Sequence, residues 1–471
     1  MKLVKNMIYN ATYQLLALLL PLITTPYVTR VLTPKGMGIY AYTNSIVTYF
    51  TLIAALGISL YGNREVAYVQ KEKEARSKIF WELIYLKVIA SSIAVMLYVI
   101  VLAFFITDWK TYFFLQGINL FSILMDISWY FTGREDFKKI VVRNTIIRVT
   151  LIVLTFVLVK KASDLGMYIF LTAVSSLLGN LSVWPFLKKE INKVPFSELN
   201  IWRHVKPTLY LFFPQITMQI YLSLNKSMLG WMTGVVSAGY FDQSDKIIRI
   251  LFTLVAALGG VFLPRLSSLF SENKKEEAKL LLLKLIDLSN AISILLISGV
   301  VAVSGTFATF YFGEEYAAVG PLMQVQSLMI IFISYGNALG TQYLLASKRM
   351  RDYIVSSVVG LITNILFNFI LIPVMGAMGA VVSTLLTEGV VTGYQAYSLR
   401  DVFSFNELTS GLWKYLVAGL ITIYSMYHLN TNMSVSIVNY SIQTVIGVGV
   451  YGITLVVLKA PVIKLIKDFK K

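Results

Sequence analysis

A chain of 471 residues that is 57% hydrophobic, only 14% charged and of mean hydropathy +0.71 is too apolar for a soluble globular protein. With no cysteine it has no disulfide framework, thiol nucleophile or cysteine metal site, and two histidines, His204 and His428, make an imidazole metal centre improbable. The formal charge of +17 is explained by membrane topology and anionic headgroups and needs no nucleic acid.

Apolar runs of about 18 or more residues predict membrane-crossing helices. Fourteen are predicted, over 7–29, 37–60, 83–106, 111–132, 142–159, 165–187, 207–229, 238–263, 284–311, 318–346, 353–373, 378–399, 413–430 and 434–458. The opening MKLVKNMIYNATYQLLALLL shows no small-x-small cleavage pattern before Pro21, and its apolar run continues to Thr29, so a retained first helix is expected. Pro21 and Pro26 interrupt that helix, and Arg30 follows at its outer end. Lys87, near the start of the third helix, reads as a lysine snorkelling to the inner surface. The fourth helix ends in DISWYFTGREDFKKIVVRN, Asp126 to Asn144. Trp129 and Tyr130 are expected at headgroup depth, Gly133 at a helix C-terminus, and Arg134, Glu135, Asp136, Lys138, Lys139 and Arg143 in an inner hairpin. Arg148 falls within the fifth helix.

The seventh helix carries Pro214 and, near its outer end, Lys226. In the eighth, FDQSDKIIRI places Asp242, Asp245, Lys246 and Arg249 at i, i+3, i+4 and i+7, on one helical face. Asp242 can pair with Lys246 and Asp245 with Arg249. At about 1.5 Å per residue Arg249 lies about 16 Å deep, near the middle of a hydrocarbon core about 30 Å thick. A cation facing lipid there costs roughly 2.5–3.5 kcal/mol, so these groups are expected to face a cavity or one another. Two readings follow: a hydrated, positive central cavity that receives an anionic headgroup, or a self-neutralised polar seam. Asp126 and Glu388 join Asp242 and Asp245 as buried acids that could bind a coupling proton or sodium ion, or serve as hydrogen-bonded structural groups.

Of the 41 Lys and Arg, 31 fall in or beside segments that become cytoplasmic if the N-terminus is inside, and five fall on the outer loops. Both termini are therefore expected on the cytoplasmic side. Short matches recur in order between the halves: Pro21-Leu-Ile-Thr24 with Pro214-Gln-Ile-Thr217, Gly38-Ile-Tyr40 with Gly239-Tyr-Phe241, and Leu52 to Gly57 with Leu254 to Gly259. They predict two parallel six-helix lobes, 1–200 and 201–400, enclosing a cavity, with a helix pair and tail over 401–471. The loops are too small to house a glycosyltransferase or polymerase domain, and no G-x-x-x-x-G-K-[ST] loop occurs. An all-α integral membrane transporter without a bound cofactor or metal is the expectation, driven by an ion gradient, the membrane potential or product consumption.

Asp126-Ile-Ser-Trp129-Tyr-Phe-x-Gly133-x-Glu135-x-Phe137-Lys with Arg143-Asn, and Arg30-Val-Leu-Thr-Pro34-x-Gly36-x-Gly38-x-Tyr40, carry a family likeness. The sequence resembles the polysaccharide-transporter branch, the Wzx-type O-antigen and capsule flippases, of the multidrug/oligosaccharidyl-lipid/polysaccharide flippase superfamily. The resemblance implies a V-shaped two-lobe fold in the bacterial cytoplasmic membrane, working by alternating access. It implies undecaprenyl-diphosphate-linked oligosaccharide as cargo, and a pathway polymerase and glycosyltransferases as partners beside the membrane lipids. Cationic cavity residues matter in several relatives, and Arg30, Arg148, Lys226, Lys246 and Arg249 are the candidates here. A drug or organic-cation antiporter, favoured by the four acids, and a lipid II flippase are the alternatives.

Overall fold

The computed structural model describes the backbone of residues 2–469; the side chains of 1–19, 137–140, 142, 213–215, 217, 218, 261 and 466–471 lie outside the described residues. Pro214, Gln215 and Thr217 of the predicted repeat, and Lys138 and Lys139 of the charged hairpin, are among these. Every regular element described is helical, as lipid requires of a chain whose backbone groups must bond within their own segment. A helix lies over each predicted interval, and eight of the described stretches are long and apolar enough to cross a membrane. The chain divides into two compact units, Met1–Gly230 and Trp231–Lys471.

The first unit opens with α1 (Lys2–Ala55), which contains Pro21, Pro26 and Pro34 and breaks at Thr33, where φ is 62° and ψ 169°. The residue before a proline is pushed out of the α region, so one residue turns the chain where the sequence suggested a loop over 30–36. Next come α2 (Ile58–Tyr68), α3 (Lys73–Phe104), α4 (Lys110–Gln116), α5 (Ile118–Met125) and α6 (Ser128–Gly133). The predicted fourth helix is thus interrupted at Asp126–Ile127. The Asp126 carboxylate accepts from the amide and hydroxyl of Ser128 in a local turn ahead of α6, while its carbonyl turns to Lys87 Nζ at 2.5 Å. Lys87 is fully buried and does not snorkel. The unit continues with α7 (Phe137–Leu158), α8 (Leu165–Leu181), α9 (Trp184–Leu187) and α10 (Val205–Met232), whose residues up to Gly230 belong to it. Tyr49 and Ser227 hydroxyls hydrogen-bond at 2.5 Å, and the Tyr42 ring lies where Gly230 has no side chain.

Trp129, Tyr130 and Phe131 are core residues, packed with Ile58, Phe80 and Leu83. They pack inside the unit and do not face its surface. Gly62 makes room for the indole, because a Cβ there would sit 2.5 Å from the Trp129 ring. Gly133 ends α6 as expected, but its role is close packing: a Cβ would stand 2.6 Å from the Asn63 carbonyl. The left-handed residue of this turn is Glu135, at φ 55°.

The second unit holds α11 (Val235–Ser271), α12 (Lys275–Phe312), α13 (Val319–Ser327), α14 (Met329–Gly336), a wider π-type turn over Asn337–Leu344, α15 (Met350–Met375), α16 (Ala377–Ser398), α17 (Phe405–Leu408), α18 (Leu412–Asn432), α19 (Ile437–Val457) and α20 (Pro461–Phe469). Leu266, Leu282, Leu339, Tyr343 and Phe403 form a core near one end of it. The pair α18–α19 joins this unit through packing of α18 on α12.

Candidate functional site

The four charges of FDQSDKIIRI form two i, i+4 pairs on α11. Lys246 Nζ lies 2.5 Å from Asp242 Oδ2, and Arg249 Nε 2.7 Å from Asp245 Oδ2. One helical turn separates the partners of each pair, the geometry in which i and i+4 side chains meet. The acids and bases differ in burial. Asp242 and Asp245 are each 3% exposed, whereas the Lys246 and Arg249 side chains are 40% and 34% exposed. The carboxylates are held from behind: Gln326 donates to Asp245 Oδ1 at 3.0 Å and accepts from the Ser244 hydroxyl, and Gln243 donates to Asp242 at 3.3 Å. Fixed acids under partly exposed cations present positive heads on a rigid base. Each pair is neutral overall, so the geometry fits both sequence readings, a self-neutralised seam and exposed cations that receive an anion.

The other sequence candidates lie on other helices. Arg30 is exposed on α1, and its Nη1 donates to the Pro26 carbonyl at 2.9 Å. Arg148 on α7 and Lys226 on α10 are half-buried. These three lie on separate helices of the first unit, while Lys246 and Arg249 share one helix of the second. Glu388 is half-buried on α16. Asp126 forms the local turn with Ser128 described above.

Two polar knots at one end of the first unit escape sequence reading. Glu82 on α3 is fully buried and accepts from the Asn200 amide at 2.7 Å, from Arg203 at 2.5 and 3.1 Å, and from His204 Nε2 at 2.7 Å. His204 Nδ1 then accepts from the Tyr61 hydroxyl at 2.8 Å, which fixes the tautomer of the neutral ring. Burial pushes the His204 imidazole below its usual range, against the pull of Glu82. In the second knot Glu190 receives Arg76 and Arg134, each at 3.4 Å. Arg134 also donates to the Gln70 carbonyl at 2.7 Å. The hairpin charge Arg134 is thus tied into a structural knot. Partners more than fifty residues apart leave no local spacing to read.

Residues 3–270 match the family described as polysaccharide biosynthesis protein. The chain belongs to that family. Among similar proteins, this family member is 24% identical over 410 residues to a putative O-antigen transporter of Escherichia coli K12, covering 84% of this chain and 96% of the relative. It is 26% identical over 397 residues to a putative O-antigen transporter of Shigella dysenteriae, covering 84% and 98%. The Staphylococcus aureus capsular polysaccharide biosynthesis protein CapF is 22% identical over 410 residues, covering 85% and 100%. Among solved structures, the lipid II flippase MurJ in an inward closed conformation superposes with a TM-score of 0.74 at 18% identity, over 97% of this chain and 98% of that one. An inward-facing multidrug resistance MATE transporter of the MOP superfamily gives 0.65 at 13% identity, over 82% and 96%. The polysaccharide biosynthesis family member therefore has the helical membrane-transporter fold that these structures share.

Proposed function

We propose that this protein is a flippase, not an enzyme, that moves undecaprenyl-diphosphate-linked oligosaccharide repeat units across a bacterial cytoplasmic membrane. The observation that carries this reading is similarity along nearly the whole length of two putative O-antigen transporters and a capsular polysaccharide biosynthesis protein. The cargo moves from the inner to the outer leaflet by alternating access, for capsule, exopolysaccharide or O-antigen assembly. Both termini face the cytoplasm. Two six-helix lobes, 1–200 and 201–400, carry the transport path, and the pair over 401–471 attaches to the second. Glycosyltransferases supply the cargo and a polymerase consumes it.

The α11 charges suit this task. A diphosphate and its sugars cannot cross about 30 Å of hydrocarbon unaided, whereas the polyprenyl chain can stay in lipid. Lys246 and Arg249 replace water around the phosphates, with Arg30 and Arg148 contributed by the first lobe and Lys226 by the second. An organic-cation antiporter would need accessible acids, and Asp242 and Asp245 are buried beneath their cations. Asp242 and Asp245 are ion-paired and Asp126 accepts from Ser128; coupling to a proton or sodium ion falls to Glu388, half-buried on α16.

Deleting the gene is expected to trap glycan-loaded undecaprenyl diphosphate on the inner leaflet. Arg249→Gln combined with Asp245→Asn removes both charges without stranding a buried carboxylate. If one charge-assisted contact of about 1.5–3 kcal/mol is lost, flipping falls roughly 10- to 100-fold in a normally folded variant. Unchanged surface polysaccharide with raised drug sensitivity in the deletion strain would instead identify an antiporter.

A further inference from the structure

A pocket of about 830 Å³ lies in the second unit, where α12, the segment around α17 and the start of α20 meet. Leu283, Leu408 and Leu465 give it apolar walls, and Lys284 and Lys464 stand exposed at its edge. Neither lysine has an ion-pair partner among the described residues. Glu407, the second acid of the lining, is taken by Lys279 at 2.7 Å and by the Ser404 amide at 2.8 Å.

Two acceptor oxygens in the same lining have no donor. Asp287 Oδ1 accepts from the Tyr415 hydroxyl at 2.5 Å, but Asp287 Oδ2 is buried without a hydrogen-bond partner. Asn290 is 1% exposed; its amide donates to Tyr335 at 3.0 Å, and its Oδ1 is likewise unpartnered. Asp287 and Asn290 are three residues apart, so they share a face of α12. Lys284, one turn before Asp287, is spaced to pair with it and does not. A buried acceptor without a donor is costly, and two in one pocket beside unneutralised lysines describe the complement of a ligand. That ligand carries N–H donors with positive charge, a negative group within reach of the lysines, and an apolar part for the leucine walls. By predicted topology the pocket opens at the inner membrane surface, where such a molecule is a lipid.

We propose that this pocket binds a phospholipid with a primary-amine headgroup, its ammonium on Asp287 Oδ2 and Asn290 Oδ1 and its phosphate on Lys284 and Lys464. The pairing uses both signs of charge. An anionic lipid without an amine would leave the two oxygens unfilled and meet the Asp287 carboxylate, and a choline headgroup has the charge but no N–H to donate.

Full-length protein in nanodiscs, exchanged against phosphatidylethanolamine, phosphatidylcholine or phosphatidylglycerol and analysed by native mass spectrometry, tests this. The wild type is expected to retain phosphatidylethanolamine over phosphatidylcholine by about tenfold or more, one strong hydrogen bond's worth. Asp287→Asn, which keeps the side chain's shape, is expected to remove that preference. Lys284→Gln with Lys464→Gln is expected to weaken retention of both lipids while leaving their ratio. Thermal melts before exchange check that each variant is folded; should Asp287→Asn fail to fold, Asn290→Leu takes its place, with the same loss of preference expected. Equal retention of the two lipids by the wild type overturns the proposal, as does a preference for phosphatidylglycerol or an unchanged preference in Asp287→Asn. Equal binding of soluble phosphoethanolamine overturns it too, since the leucine walls would then have no role. None of these readouts depends on flipping, so the outcome is independent of the cargo.

Discussion

Glu82 gathers four donors in a fully buried position, from the Asn200 amide, two nitrogens of Arg203 and His204. Removing the acid leaves a buried amide and an imidazole N–H without acceptors, and an arginine without its counter-charge. Glu82→Ala is expected to destabilise the protein by about 1–3 kcal/mol, the cost of leaving buried donors unpaired, because Arg203 itself is half-exposed and can turn to solvent, and Glu82→Gln by less. Chemical unfolding in detergent measures both, and an Ala variant as stable as wild type would contradict the network. His204 adds a pH dependence with a definite sign. Its folded imidazole titrates below the usual value of about 6.5, so between the two values the unfolded chain binds more protons. This contribution is complete above about pH 6.5 and declines as pH falls below it. Melting temperatures at pH 7.5 and 5.5 should differ more in the wild type than in His204→Asn; an equal difference would remove His204 from the account. Legibility at this scale follows sequence separation. The α11 pairs were readable because partners at i and i+4 meet by helical geometry alone. Glu82 with His204, and Arg76 with Glu190, are joined only by the fold. Lys87 was misread for a related reason: its partner, the Asp126 carbonyl, exists only because the fourth helix breaks there.

Among the elements, glycines mark where helices approach most closely, and each has its own steric consequence. At Gly379 a Cβ would overlap the Leu371 carbonyl and the backbone beyond it, just past Gly376 at φ +55°. Backbone cannot yield as a flexible side chain does. Gly379→Ala is therefore expected to cost about 1–3 kcal/mol or more, read as a lowered thermal transition. Gly299→Ala, in the interior of α12 with open space around its Cβ, should be neutral or stabilising by up to about 1 kcal/mol. If the two variants melt together, the close approach of Gly379 to the Leu371 backbone is wrong. The apolar runs made the helices legible, since length and hydropathy are local properties. The break at Thr33 was readable as a turn from Pro34, though not as a turn of one residue. The Trp129–Phe131 cluster was visible as a motif but misplaced, because an aromatic run looks alike in an interfacial belt and in a core. Only the glycine opposite, Gly62, distinguishes them, and it lies on another helix.

For the whole molecule, composition and charge bias identified a polytopic membrane protein, and the family match over residues 3–270 assigns it to polysaccharide biosynthesis. The likeness to MurJ and to a MATE transporter supplies the fold, and what the fold carries must come from its charges. Lys246 and Arg249 rest on buried carboxylates, and that arrangement suits an anionic headgroup. The most direct test is leaflet sidedness in proteoliposomes loaded with labelled undecaprenyl-diphosphate oligosaccharide and probed by an impermeant oxidant of the sugar. With this protein in the membrane, an ion gradient imposed if required, the account predicts that the inner-leaflet pool becomes accessible. The folded Asp245→Asn/Arg249→Gln variant should expose that pool roughly 10- to 100-fold more slowly. A pool that stays protected with the wild-type protein under every imposed gradient would contradict the account.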